Sequence, residues 1–311
     1  MWLPDKLLTG DQFFSVCVPY YCRPLYLYRL IESLEKFADM PYELIVHDDG
    51  SSDGSSGDIY NLRSKITTLI THDAYPIGLA ASLNRCVQMA NSKYILFLNA
   101  DCSLTGPCFK TFKNVLDKPY IGMVTPHVEW PTNKKEYLVS GNTKFILPNG
   151  SGGGCVQVFR KDTWKSLGGW DENFFSGSCD CAMIYKVLTY GYFLGLPIGG
   201  RAVTNMSLDE KDNSDSSMKF NKGFDCAYPK IFNLKNWQIY YALSKARQES
   251  CVQHVIGEEK REAGRANGKY WSEFMIKLVK QCTVVDWELA KRHGQDKWRS
   301  AVEADIVKET P

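Results

Sequence analysis

Residues 43–54 read ELIVHDDGSSDG, and the prediction of the fold starts from this segment. It begins as an apolar run of strand length and ends in a turn rich in aspartate, glycine and serine. The same pattern occurs twice more: apolar residues 13–18 stop at Pro19, and apolar residues 94–98 stop at the polar segment 99–101. We therefore predict short buried strands that each end in a polar turn.

Helical patterns separate these strands. Pro24 opens a stretch with leucine and isoleucine at helical spacing, and residues 79–90 show a second such stretch. With a further strand at 66–71, the alternation predicts an α/β fold with a mostly parallel sheet flanked by helices. In open sheets of this kind ligands bind at the carboxyl ends of the strands, so the polar turns should share one ligand-binding edge.

The rest of the chain is less regular. Residues 123–128 are a candidate strand, and the glycine-rich residues 149–154 lead into an apolar strand at 155–159. Two short helices are predicted at 162–167 and 180–190, whereas aromatic residues at helical spacing appear after Pro229. We expect a first domain over residues 1–228 and a helical C-terminal extension over residues 229–311.

Composition limits the classes of function. The 311 residues are 44% hydrophobic and 23% charged, and the formal net charge is +2. This near-neutral balance disfavours a nucleic-acid partner, although a basic groove within it would reopen that option. Eleven cysteines occur without a CxxC pair, so we expect free thiols in a reducing compartment. The sequence shows neither a signal peptide nor a transmembrane segment, and the expected location is cytoplasmic.

Three sites with acidic residues carry candidate chemistry, each with a structural alternative. In the cluster 47–51 a carboxylate accepts the imide N–H of a uracil or thymine base, or else Asp49 and Ser51 cap the following turn. Asn99 and Asp101 are two apart on a strand end and point the same way, so they either ligate a hard divalent cation or form a turn. Asp180 either acts as a general base or caps the helix that it begins.

Taken together, the motifs resemble those of family 2 glycosyltransferases with the GT-A fold, a Rossmann-like sheet. The resemblance covers about residues 12–200 and is carried by VCVPYYCRPLYLYRLIESL (16–34), by residues 43–54, and by PIGLAASLNRCVQMANSKYILFLNADC (76–102). It continues in GGGCVQVFRKDTWKSLGGWDENFF (152–175), which Asp180 follows. The LFLN-x-D form is similar to that of rhamnosyltransferase-like members, which implies a dTDP- or UDP-linked sugar, rhamnose or another hexose.

The resemblance implies a role for each matching position. Asp180 is implied to be the catalytic base and Asp101 the metal ligand for Mn²⁺ or Mg²⁺, while Trp170 and Asp171 lie on the acceptor side. The implied nucleotide-sugar-binding residues are Pro19, Tyr20, Asp48, Asp49, Ser51, Gly78, Leu79, Asn84, Asn99, Ala100, Gly153 and Gly154.

Three positions depart from the family pattern. Asn99 stands where the first aspartate of a DxD motif is usual, and Cys179 stands where a glutamate usually precedes the base. Asn205 lies where a metal-binding histidine often follows the last core strand.

The implied reaction is a single in-line displacement at the anomeric carbon of a nucleotide-diphosphate sugar, with inversion. Asp180 would deprotonate the acceptor hydroxyl while the metal neutralises the departing diphosphate. The acceptor is a glycan, a glycoprotein or another hydroxyl compound.

Other classes fit less well. A dinucleotide-dependent oxidoreductase needs a GxGxxG turn after its first strand, but residues 19–24 contain no glycine. A nucleotidyltransferase usually has a first loop rich in glycine and arginine with a lysine, which is also missing here. A degenerate glycosyltransferase that binds a nucleotide sugar or a glycan without turnover remains the alternative, because Cys179 and Asn205 depart from the pattern.

Overall fold

The computed structural model describes residues 13–60, 68–125, 136–148, 155–172, 179–199, 202–205, 285 and 287–308. The strands in these ranges are β1 Phe14–Tyr20, β2 Tyr42–Asp48, β3 Thr68–His72, β4 Tyr94–Leu98, β5 Cys102–Leu104, β6 Ile121–Val124, β7 Glu136–Ser140, β8 Thr143–Ile146, β9 Val156–Arg160, β10 Phe193–Pro197, β11 Val203–Asn205 and β12 Ile306–Lys308. The helices are α1 Pro24–Phe37, α2 Ser55–Tyr60, α3 Leu79–Met89, α4 Phe109–Leu116, α5 Lys161–Ser166, α6 Cys179–Thr189, α7 Trp287–Arg292 and α8 Arg299–Asp305, with a 3₁₀ turn at Gln295–Trp298.

Ten strands form the central sheet in the order β12-β7-β8-β10-β6-β9-β4-β1-β2-β3. The pairs β1–β2, β1–β4 and β2–β3 are parallel, while β9 lies antiparallel between β4 and β6. All residues of β1, β2 and β4 are buried, as expected for strands with both faces covered by helices. The prediction of a mostly parallel sheet flanked by helices is confirmed.

Several predicted boundaries shift by a few residues. The strand expected at 123–128 occupies Ile121–Val124, and its predicted residues 126–128 lie outside the described part of the chain. The helix expected at 162–167 begins at Lys161. The third strand begins at Thr68, and its earlier predicted residues lie outside the described part of the chain. Element ends are set by which backbone groups find partners, a property that local sequence patterns constrain weakly.

A second, two-stranded sheet pairs β11 antiparallel with β5. Its register places Val203 opposite Leu104 and Asn205 opposite Cys102. Because Cys102 directly follows Asp101, β11 ends beside the residue predicted to bind metal.

The last described residues pack against the central sheet. Strand β12 pairs antiparallel with β7, and the carboxylate of Asp305 accepts hydrogen bonds from Lys118 Nζ and the Tyr120 hydroxyl, both at 2.6 Å. Trp298 Nε1 donates to the carbonyl of Gly191 at 2.7 Å. The expected domain boundary at 228/229 and the aromatic helices up to residue 284 lie outside the described ranges, so the division stays a prediction. In the part of the chain that the structure describes, no helix combines the length and hydropathy required to cross a bilayer.

Candidate active site

The polar turns predicted from the sequence meet at one edge of the sheet. The register pairs Tyr20 at the end of β1 with Asp48 at the end of β2, and Asp48 with His72 at the end of β3. At the end of β4, the N–H of Asn99 donates to the carbonyl of Cys155 at 2.9 Å. This edge is the place where parallel α/β sheets bind their ligands.

Asp49 joins the end of β2 to the start of α3. Its carboxylate accepts hydrogen bonds from the backbone N–H of Ile77 at 2.7 Å and of Gly78 at 3.1 Å, and the residue is 3% exposed. Burial raises the pKa of Asp49, and the two backbone hydrogen bonds oppose that shift. Asp49 therefore shapes the segment before α3, and its predicted contact with a base stays a prediction.

Asp48 organises the turn that follows β2. It accepts hydrogen bonds from Ser51 N–H at 3.0 Å, from the Ser56 hydroxyl at 2.6 Å and from His72 Nδ1 at 3.1 Å. Burial would raise the pKa of Asp48, but these hydrogen bonds outweigh it and hold the pKa below its ordinary value. Ser51 in turn accepts the backbone N–H of Cys22 at 2.9 Å, which ties this turn to the loop after β1.

The loop after β1 places one tyrosine inside and the next nearer to solvent. Tyr20 is 1% exposed, and its hydroxyl lies 2.6 Å from Ser55 Oγ and accepts the N–H of Arg23 at 3.0 Å. Burial raises the pKa of Tyr20 well above its ordinary range. Pro19 is buried as well, whereas Tyr21 is only half-buried.

Residue 50 has to be glycine because the backbone of residues 75–76 passes close to it. Its φ is +72°, and an added Cβ would lie 2.6 Å from the carbonyl carbon of Tyr75 and 2.7 Å from the nitrogen of Pro76. Both atoms belong to the backbone, so a side-chain rotation cannot relieve the contact. Only glycine allows residues 75–76 to cross this turn.

We expect Gly50→Ala to lower the free energy of unfolding by about 3 kcal/mol, from the strained φ and the backbone clash together. Gly54→Ala is the matched control, because Gly54 has a φ of +82° but nothing within 4 Å of an added Cβ. That variant should lose only about 1 kcal/mol, the cost of the left-handed conformation. Urea denaturation of the two variants measures both losses, and equal losses would contradict the role of the clash.

Asp101 lies at the end of the segment that leaves β4. Its side chain is 14% exposed, and its Oδ2 is 3.5 Å from Nη1 of Arg23, which precedes α1. Asn99 is half-buried and Ala100 is buried. Asp101 and Asn99 supply oxygen atoms, the ligands that Mn²⁺ and Mg²⁺ accept, and Asn205 of β11 lies in register one residue beyond Asp101. The donor set therefore fits a hard divalent cation, with Arg23 as a nearby positive charge that the sequence analysis missed.

A second group of potential metal ligands lies beside β2 and β3. Ligand atoms of His47, Asp49 and Asp73 fall within 4.8 Å of one another. However, His47 Nδ1 is 2.7 Å from Thr71 Oγ1 and its Nε2 is 3.2 Å from Asp73 Oδ2, while Arg85 pairs with Asp73. Burial lowers the pKa of His47 against the opposing effect of Asp73. These side chains form a hydrogen-bonded cluster that supports the turn.

Asn84 of α3 holds the segment that carries Trp170. Its amide nitrogen donates to the carbonyl of Trp170 at 2.8 Å and to Glu172 at 2.9 Å, and its amide oxygen accepts the N–H of Trp170 at 2.9 Å. Trp170 is 2% exposed and packs against Phe97, with ring centroids 5.9 Å apart. Leu79 is half-buried at the start of the same helix. Asn84 and Trp170 thus stabilise the protein interior, and their predicted contacts with donor and acceptor remain predictions.

Asp180 is the second residue of α6 and is 4% exposed. Its backbone carbonyl accepts a hydrogen bond from Gln157 Nε2 of β9 at 3.1 Å, and Cys179 beside it is buried. Asp171, outside the helix, is half-buried. Burial lowers the pKa of Lys186 in α6, and the negative charge of Asp171 opposes that shift. Gly153 and Gly154 lie outside the described residues.

The structure is thus an α/β domain with acidic turns at the carboxyl ends of its parallel strands. Asp180 lies in the first turn of a helix that is hydrogen-bonded to the neighbouring strand β9. Residues 15–163 match the family model described as Glycosyl transferase family 2. This stretch is therefore a family 2 glycosyltransferase domain, and the fold is of the GT-A type.

Solved structures share this fold. The chain is similar to GalNAc-T7 with UDP, GalNAc and Mn²⁺, at 14% identity and a TM-score of 0.50, over 60% of this chain and 43% of that one. It is also similar to S. aureus TarS 1–349, at 14% identity and a TM-score of 0.50, over 92% and 91% of the two chains. At this identity the likeness concerns the fold alone. A Mycobacterium tuberculosis (strain CDC 1551 / Oshkosh) relative, "Uncharacterized protein MT1568", is 26% identical over 109 residues, about a third of either chain.

Proposed function

We propose that this glycosyltransferase inverts the anomeric centre and moves a hexose from a dTDP- or UDP-linked donor, with rhamnose as one candidate sugar, to a hydroxyl group. The acceptor would be a glycan, a glycoprotein or another hydroxyl compound. The observation that carries the proposal is that Asp180 and the Asn99–Asp101 segment are attached two residues apart, at Gln157 of β9 and at Cys155 directly before that strand. That arrangement supports a general base on one side of the donor sugar and the leaving diphosphate on the other.

The residues would divide the reaction as follows. Asp180 would take the proton from the attacking hydroxyl, and Arg23 would add positive charge near the diphosphate. Asp101 and Asn99 would hold Mn²⁺ or Mg²⁺, which when bound supplies charge to the departing diphosphate. The fold shared with GalNAc-T7, whose structure contains UDP and Mn²⁺, supports this choice of donor and metal.

Two further proposals concern the whole chain. Residues 1–228 would form the catalytic domain, and residues 229–311 would add a helical extension whose strand β12 joins the central sheet. Seven cysteines of the described part of the chain are free thiols, which supports a reducing compartment such as the cytoplasm: Cys17, Cys22, Cys86, Cys102, Cys108, Cys155 and Cys179.

A thermal-shift screen of UDP, dTDP, GDP and their sugars, each with Mn²⁺ and with EDTA, tests the proposal. We expect one nucleotide sugar to raise the melting temperature by several degrees with Mn²⁺ and by less with EDTA, because a ligand that binds only the native state stabilises it. Release of nucleoside diphosphate from that sugar would then show turnover. Absence of any shift, or of any release, would contradict the proposed enzyme.

A degenerate, purely binding domain is the second candidate. It is favoured by Cys179, a buried thiol where the family has a glutamate that contacts the acceptor. The same screen separates the two functions, since a binding domain gives a thermal shift without release of nucleoside diphosphate.

A further inference from the structure

Gln157 is an exception within an apolar strand. Its neighbours Val156, Val158 and Phe159 are fully buried apolar residues, and Gln157 itself is 0% exposed. A buried amide costs free energy unless its polar atoms are hydrogen-bonded. A valine or leucine would fill such a strand without that cost. We therefore expect the role of Gln157 to depend on the hydrogen bonds of its amide.

Both ends of the amide are hydrogen-bonded to segments of the candidate active site. Its oxygen accepts Trp170 Nε1–H at 3.0 Å, and its nitrogen donates to the carbonyl of Asp180 at 3.1 Å. Trp170 is itself held at both backbone groups by Asn84. A continuous buried chain of hydrogen bonds therefore runs from α3 through Trp170 and Gln157 to the first turn of α6.

Strand β9 also carries the opposite side of the site. Gln157 lies in register with Phe97 of β4, and the carbonyl of Cys155 accepts Asn99 N–H at 2.9 Å. Cys155, directly before β9, thus attaches the segment leading to Asp101, and Gln157 within β9 attaches the first turn of α6. The hydrogen bond of Gln157 to the carbonyl of Asp180 is therefore one of the contacts that hold the two groups at a fixed separation.

We propose that Gln157 is a positioning residue that sets where the general base stands relative to the leaving diphosphate. This inference rests on the proposed function of Asp180 and Asp101. Gln157 acts through the backbone of Asp180 and touches neither donor nor acceptor, so its loss should slow the chemical step and leave donor binding unchanged. Displacements of about 1 Å can cost about 10²-fold in rate.

The test uses the full chain and donor hydrolysis, with water as acceptor and with the UDP-, dTDP- or GDP-sugar that gives the largest thermal shift. Gln157→Met keeps the length and burial of the side chain but removes both hydrogen bonds. We expect kcat to fall about 10- to 100-fold, with KM for the sugar nucleotide within about twofold of wild type. Val158→Ala is the control. Val158 is a fully buried residue of the same strand, and it belongs to a core cluster that contains neither Trp170 nor Cys179. The substitution therefore destabilises the sheet without removing a hydrogen bond of Gln157.

Trp170→Phe provides a second variant: it keeps an aromatic ring and removes the Nε1–H that fixes the amide, but it also puts a smaller ring into the buried site of the indole. We expect a smaller fall in kcat, and no further fall when it is added to Gln157→Met, because the two changes break one chain. If Gln157→Met does not fold, Trp170→Phe tests the positioning role by the same criterion, a fall in kcat with an unchanged KM. A kcat equal to that of Val158→Ala, or a loss confined to KM, would overturn the positioning role. An inactive wild type would instead refute the proposed function.

Discussion

Asp180→Asn is expected to lower kcat for transfer or donor hydrolysis by about 10²- to 10⁴-fold, the usual contribution of a general base. The amide keeps the shape of the side chain but cannot accept the proton of the attacking hydroxyl. The Gln157 hydrogen bond goes to the backbone of residue 180, so it should survive the change. Donor affinity should therefore stay within about threefold of wild type, since the base acts on the acceptor.

Single-turnover measurements of nucleoside diphosphate release, together with calorimetry of the donor, separate these two quantities. Asp162→Asn is the matched control, because Asp162 also lies in the first turn of a helix, α5, yet its side chain is 75% exposed. It removes the same charge from a helix start without touching the candidate site, and its kcat should match wild type. Equal rates in the two variants, or a loss of donor affinity in Asp180→Asn, would contradict the assignment of the base.

Asp101→Asn is expected to remove most of the Mn²⁺-dependent gain in affinity for the nucleoside diphosphate, and to lower kcat by about 100-fold, since a bound metal supplies several kcal/mol of charge stabilisation. Asn99 alone would leave the site without a carboxylate. In EDTA the affinity of the variant should equal or exceed that of wild type, because Arg23, 3.5 Å from Asp101, would then be available to the phosphates.

Calorimetric titration with the nucleoside diphosphate from the screen, in Mn²⁺ and in EDTA, measures both effects. Asp117→Asn is the control: this carboxylate follows α4 and accepts the Tyr94 hydroxyl at 2.6 Å at the start of β4, the opposite end of the strand from Asp101. A Mn²⁺ effect that persists in Asp101→Asn would move the metal site elsewhere, with the cluster of His47, Asp49 and Asp73 as the next place to examine.

Much of the fold could be predicted because its signals are local. Buried parallel strands need continuous apolar runs, and their ends need polar turns, so residues 43–54 and 94–101 carry both signals in one short stretch. The same locality gave the edge of the sheet on which Asp48, Asp49 and Asp101 lie. Exact element ends were less predictable, since they depend on pairing with distant strands.

The use of each polar side chain was not predictable in this way. Asp49 binds backbone groups 28 residues away, and Asn84 binds Trp170, 86 residues away. Tyr20 is buried because it ends a strand covered on both faces, while Tyr21 directly after the strand is half-buried. In the sequence Gln157 is merely one polar residue in an apolar run.

The α/β architecture, the ligand-binding edge and the order of the motifs along the chain can thus be predicted from local patterns. Which side chains at that edge are engaged with the protein, and which segment each one holds, follows from the folded structure. Strand and turn formation depend on neighbours within a few residues. A buried hydrogen bond such as that from Gln157 to Asp180 exists only once the sheet has brought its two partners together.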